Sequence, residues 1–233
     1  MQKSKPNTAA IILAAGTGSR MRTDKTKQTI MLFGKSVLRR CLEAFESASC
    51  VDSLVVVYKD GEYDFVNNEC HFLSKPFTLV KGGKCRAESA SIGFAAVAEQ
   101  TEYVMIHDGA RCLITPEEIL SVAEAAYLYG AATASRPLTD TVKRCSSDGK
   151  ISETLDRSEL RAVQTPQAFA RGVYAEALKK VNVLDDKVTD DNMMVEKVGI
   201  KPYCVTTFST NIKITAGDDL SLAELIIRKR EGF

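Results

Sequence analysis

Short apolar runs rich in Val and Ile alternate along this chain with stretches of helical periodicity, and that alternation most restricts the fold. The runs are AAIILA (9–14), SLVVVY (53–58), FTLV (77–80), YVMIH (103–107) and AATAS (131–135). They predict strands of an α/β fold with a mostly parallel twisted sheet and helices in the gaps. One helix starts at Ser36 and buries Val37, Leu38, Cys41, Leu42 and Phe45. Another has Thr115 as N-cap, Pro116 in first position, Glu118 closing a capping box, and Gly130 as its stop.

After Pro137 the rhythm changes. DTVKRC, the turn SSDG and KISETL predict a β-hairpin with little apolar surface of its own. Such a hairpin needs something to lie against, either its own domain or a second subunit. A strand AVQTPQAF (162–169), helices near 171–181 and 190–198, and a strand pair PYCVTT and NIKIT follow. The last helix, AGDDLSLAELIIRKR, carries acids at its start and bases at its end, as the macrodipole favours.

The 233 residues suit one large domain, 1–233, with the hairpin as an arm at about 138–160. Lys plus Arg number 31 against 30 Asp plus Glu. That balance predicts no global attraction to nucleic acid or an anionic membrane, so any anion site is local. No run approaches the roughly 20 apolar residues of a membrane span. Lys3 and Lys5 before AAIILAA imitate a secretory signal, but the run is short and a charged glycine loop follows it. Seven scattered cysteines without a C-x-x-C pair predict reduced thiols and a cytoplasmic protein.

The loop after the first strand of such a sheet lies at its carboxyl edge, where ligands bind. Gly16 and Gly18 let backbone N–H groups approach an anion, and Arg20, Arg22, Lys25 and Lys27 follow within a few residues. This is no dinucleotide fingerprint, because Met21 stands where the third glycine belongs, and no P-loop, because G-x-x-x-x-G-K-[ST] is absent. The plain alternative is a turn with solvated charges; the cation cluster favours polyphosphate. HDGAR (107–111) ends the fourth strand, which lies beside the first, so Asp108 faces the same crevice. A carboxylate beside polyphosphate is repulsive unless a cation mediates, which predicts Mg²⁺ at Asp108; the plain alternative is a turn cap. His107 is expected as a hydrogen-bonding core residue and His71 on a helix surface.

AAGTGSRM, Lys27-Gln28, GGKCRAES, HDGAR, DTVKR, LDRSEL, QTPQAF, TDD and NIKIT, in this order and spacing, resemble the 2-C-methyl-D-erythritol 4-phosphate cytidylyltransferases from residue 9 to about 226. The resemblance implies a Rossmann-like nucleotidyltransferase fold, a homodimer clasped by the arm, and Mg²⁺-dependent transfer of CMP from CTP to the polyol phosphate. Ala14, Ala15, Gly16, Thr17 and Gly18 would hold ribose and phosphates; Gly82, Lys84 (through its backbone) and Ser89 would read cytosine. Arg20, Lys27 and Lys213 would serve the triphosphate and transition state. Asp108 would serve metal and substrate, with Arg111 and Thr165 near the methylerythritol phosphate. Thr141 and Arg157 would reach the neighbouring subunit's site.

The chain departs from the family pattern at Thr26, where Pro is usual, at Thr29, at Cys112, again in place of Pro, and at Arg161, in place of a frequent Trp. These changes bear on loop rigidity more than on chemistry. A ribitol 5-phosphate cytidylyltransferase and a nucleotide-binding module without turnover remain open as alternatives; a nicotinamide oxidoreductase is more distant.

Overall fold

The apolar runs become strands because both of their faces are covered. The computed structural model describes residues 5–16, 26–185, 187–208 and 210–232. In chain order the elements are β1 (Thr8–Leu13), β2 (Met31–Leu32), β3 (Lys35–Ser36), α1 (Val37–Ser47), β4 (Ser53–Tyr58) and α2 (Tyr63–Cys70). Then come β5 (Phe77–Lys81), α3 (Arg86–Ala95), β6 (Tyr103–Asp108), α4 (Pro116–Tyr129), β7 (Ala131–Pro137), β8 (Lys143–Cys145) and β9 (Ile151–Thr154). β10 (Arg161–Ala170), α5 (Arg171–Lys180), α6 (Asp191–Glu196), β11 (Tyr203–Thr206) and α7 (Gly217–Glu231) complete the chain.

Seven strands form one sheet in the order β11-β7-β10-β6-β1-β4-β5. β1 pairs in parallel with both β4 and β6, and β11 in parallel with β7, while β10 runs antiparallel between β6 and β7. Alternate residues along a strand supply opposite faces. Ala10 and Ile12 of β1 join one apolar cluster with α1, α4 and α7; Ala9, Ile11 and Leu13 join a second with α3, α5 and α6. Helices therefore cover both faces. Among the described residues no helix is long and apolar enough to cross a membrane.

Local signals explain the helix limits. Ser36 Oγ accepts the Arg39 N–H at 2.9 Å, starting α1 where the sequence predicts. Thr115 and Glu118 form the expected capping box of α4, which ends at Gly130 in a left-handed conformation. Among the described residues the arm strands β8 and β9 pair only with each other, and every residue in them is exposed. The turn between them closes with Gly149 N–H donating to Ser146 O at 3.0 Å.

One expectation is corrected and one element is added. NIKIT (211–215) forms no strand. Its apolar alternation seats Ile214 in the core, but the backbone attaches to the loop after β6 through Ile214 N–H to Ala110 O at 2.9 Å. The Asn211 side chain replaces a ladder, donating to Gln164 Oε1 and Thr165 O. The small hairpin β2–β3 is new; it turns at Phe33 and Gly34, both with positive φ, and only the glycine signals it in sequence.

Helix α3 lies against β1 and β4 at Gly93, where an added Cβ would come within 2.5 Å of Ile11 Cγ2 and 2.9 Å of Val57 Cγ2. We expect Gly93→Ala to overpack this contact and cost about 1–3 kcal/mol. Urea midpoints measure it, and an unchanged midpoint would mean that α3 moves off the sheet without cost.

Candidate active site

β1 and β6 end side by side with Leu13 in register with Asp108, so both following loops leave the sheet at one place. Ala14 stays buried, its N–H donating to Val57 O at 2.8 Å, while Ala15 and Gly16 line a cavity of about 330 Å³. A second wall follows β5. There an added Cβ on Gly82 would lie 2.5 Å from the Ala15 Cβ and 3.0 Å from Ser89 Oγ, so glycine lets the two loops meet. Within that wall Gly83 N–H donates to Ser89 Oγ at 3.1 Å and Lys84 N–H to the Glu88 carboxylate. Lys84 and Ser89 line the cavity. Lys27 and Gln28 enter from a short 3₁₀ turn, Lys27–Thr29, and Lys213 from the segment after β11.

Asp108 forms the floor, and its surroundings are cationic. Arg86 Nε donates to Oδ1 at 3.1 Å and Lys213 Nζ to Oδ2 at 2.8 Å; Arg111 Nε lies 3.7 Å from Oδ2. Arg86 Nη1 also donates to Asp191 Oδ2 at 2.7 Å. Burial alone would raise the Asp108 carboxyl, but Arg86, Lys213 and Arg111 outweigh it and hold it well below the usual carboxylate range. Among the described residues the cavity lining carries four cations, Lys27, Lys84, Arg86 and Lys213, and one carboxylate, Asp108. The site attracts anions.

A chain of directional hydrogen bonds fixes Asp108 from behind. Its N–H donates to Thr165 Oγ1 at 3.0 Å, and Thr165 Oγ1 lies 3.1 Å from His107 Nδ1. His107 Nε2 lies 3.2 Å from Arg111 O, which can only accept. The ring therefore carries its proton on Nε2 and accepts the Thr165 hydroxyl at Nδ1. His107 is the buried core residue expected, and His71 is exposed at the end of α2.

Thr165 and Arg111 support the wall and do not line the cavity: Thr165 is buried, and Arg111 Nη1 donates to Asn211 O at 3.0 Å. Thr141 and Arg157 lie on the arm, where Arg157 Nη1 donates to Thr139 O, and they are not among the cavity residues. Thr17, Gly18 and Arg20 lie outside the described residues.

Among the described residues no three His, Cys, Asp or Glu side chains converge as a metal cage. A carboxylate has about four lone-pair positions, and among the described residues Asp108 has two side-chain hydrogen bonds and one longer ionic contact. It thus retains acceptor capacity toward the cavity. One carboxylate with anionic substrates is the ligand set that suits Mg²⁺, which keeps several waters and shares substrate phosphates. These residues would suit such an ion shared with an anionic ligand.

Comparison with known proteins decides the family. The sequence model of the 2-C-methyl-D-erythritol 4-phosphate cytidylyltransferases matches residues 8–229. The chain belongs to this family. It is 40% identical to the cytidylyltransferase of that name from Syntrophus aciditrophicus, covering 98% of this chain and 99% of that one. It is 38% identical to that from Caldanaerobacter subterraneus, covering 96% and 100%. The fold is similar to the crystal structure of 4-diphosphocytidyl-2C-methyl-D-erythritol synthase from Anaerococcus prevotii, with TM-score 0.86, 27% identity and 96% and 99% coverage. It is likewise similar to the 2-C-methyl-D-erythritol 4-phosphate cytidylyltransferase of Francisella tularensis, with TM-score 0.78, 29% identity and 94% and 99% coverage.

Arg86 and Asp191 are functional residues that the sequence pattern does not single out. Both stand inside quoted motifs, GGKCRAES and TDD, yet nothing in either segment shows that one guanidinium joins them across 105 positions. Gln28 also lines the cavity, beside Lys27.

Burial pushes the His107 imidazole down to about 4, whereas a histidine in the unfolded chain titrates near 6.5. Between these values the unfolded state binds more protons, so this stability is fully present above about pH 6.5 and is lost as pH falls. Urea denaturation should show about 2 kcal/mol lost between roughly pH 7 and pH 5. His107→Gln should flatten that window; an equally steep loss in the variant would assign the dependence to another group.

Proposed function

We propose that this chain transfers CMP from CTP to 2-C-methyl-D-erythritol 4-phosphate, forming 4-diphosphocytidyl-2-C-methyl-D-erythritol and releasing diphosphate. The observation that carries the site reading is the convergence of Lys27, Lys213 and Asp108 on one cavity beside the glycine loop. In this reaction a phosphate-monoester oxygen attacks the α-phosphorus of CTP, and the bond from that phosphorus to the bridging oxygen breaks. The nucleophile is already anionic near neutral pH, so no strong general base is required. What the reaction requires is in-line placement of two anions that repel one another.

The roles are those that the family resemblance implies. Ala14, Ala15, Gly16, Thr17 and Gly18 would hold ribose and phosphates, and Gly82, Lys84 and Ser89 would bound the base. Arg20, Lys27 and Lys213 would offset charge growing on the transferring phosphoryl group and on diphosphate. Bound Mg²⁺, held by Asp108 and the triphosphate, would supply further charge neutralisation. Arg111 and Thr165 would keep the polyol-phosphate side of the wall in place. Thr141 and Arg157, on an arm whose strands are wholly exposed, would complete the site of a second copy in a homodimer. Seven free cysteines suit the reducing cytoplasm.

Diphosphate release from CTP with methylerythritol phosphate or ribitol 5-phosphate, with and without Mg²⁺, tests the reading. Turnover with the first alone, and only with the metal, is expected; CTP binding without diphosphate would instead mark a non-catalytic module. Lys27→Ala should lose about 2–4 kcal/mol of transition-state stabilisation, lowering kcat more than it raises KM. An unchanged kcat would remove Lys27 from the chemistry.

A further inference from the structure

A carboxylate that receives substrates must be held at a defined rotation, and Asp108 is held by a guanidinium with a second anchor. Arg86 leaves the first turn of α3 and gives Nε to Asp108 Oδ1 at 3.1 Å and Nη1 to Asp191 Oδ2 at 2.7 Å. Asp191 opens α6 and is fully buried. Its other oxygen accepts the Tyr174 hydroxyl at 2.7 Å, and its N–H donates to Gln167 Oε1 at 3.0 Å. The planar fork thus spans two carboxylates, leaving Asp108 Oδ2 for Lys213.

We infer that Asp191 is a remote positioning residue for cytidylyl transfer: through Arg86 it sets the orientation of Asp108 at the reaction cavity. Two physical consequences favour this role over plain stabilisation. Arg86 divides its charge between two carboxylates. With Asp191 neutral, the whole guanidinium would fall to Asp108 and compete with Lys213 for its oxygens. Small misplacements of such a group are costly to rate even when binding is preserved.

The inference rests on Asp108 acting at the reacting phosphates, and a double-mutant cycle separates the two statements. Diphosphate release would be measured for wild type, Asp191→Asn, Asp108→Asn and the double variant, each checked for cooperative thermal unfolding. Asp191→Asn should lower kcat at least about tenfold with KM for CTP changed less than about threefold. In the Asp108→Asn background the same change should cost less than about twofold, because the path it acts through is gone. Equal fold losses in both backgrounds, or an unchanged kcat in folded Asp191→Asn, would overturn the relay. Wild-type kcat in Asp108→Asn would instead overturn the reading of Asp108, and the relay with it. Tyr174→Phe keeps the ring packed against Phe94 and Phe169 and removes only the hydroxyl on Asp191. If Asp191→Asn does not fold, the same cycle with Tyr174→Phe decides: a smaller kcat loss confined to the Asp108 background supports the relay, and an equal loss in both refutes it.

Discussion

One buried negative charge organises the cavity. Asp108 stands at the end of a central strand, and a carboxylate there is tolerable only if cations surround it. The three that do so come from α3, from the loop after β6 and from the segment after β11. Each belongs to a different wall, so charge compensation and cavity construction are one requirement. The segment 211–215 illustrates this: it has no strand ladder and is tied down by Lys213 on Asp108, Asn211 on Thr165 and Ile214 on Ala110.

The pairing leaves an excess of positive charge, which suits the chemistry. At an effective dielectric of about 20, two unit charges 4 Å apart interact by about 4 kcal/mol. A few such contacts offset the mutual repulsion of a triphosphate and a phosphate monoester. Because its cations hold the Asp108 carboxyl well below the usual carboxylate range, it is ionised near neutral pH. The neutral His107 next to it adds hydrogen-bond direction without adding charge.

Much of the sheet was legible because buried strands must be apolar runs, and AAIILA, SLVVVY and YVMIH form the adjacent β1, β4 and β6. Caps were equally legible at Ser36 and Thr115, since a hydroxyl three residues before a free N–H is a local signal. NIKIT failed for a complementary reason: alternation records which side chains are buried, not whether the backbone has a ladder partner. The candidate site was visible wherever glycine and cation patterns are local, as at Gly16 and Lys27. Arg86 and Asp191 were not, because their meaning lies in a contact between α3 and α6 that no local pattern encodes. Thr165, Thr141 and Arg157 acquired roles only through the family resemblance.

The departures from the family pattern keep geometry by other means. Proline fixes φ near −65°, and Thr26, where proline is usual, has φ −72°. Its carbonyl accepts both the N–H of Thr29 at 3.1 Å and the Thr29 hydroxyl at 2.9 Å, so the turn presenting Lys27 is closed twice. Arg161, in place of a frequent Trp, donates from Nη1 to Ser158 O and Leu160 O, closing the turn that carries Arg157. Cys112, within the loop after β6, is buried and packs in the apolar cluster. In two of the three places the lost ring or covalent constraint is replaced by hydrogen bonds to carbonyls of the same turn. Those bonds bear on the presentation of Lys27 and Arg157 and leave the three cations around Asp108, which come from other segments, in place.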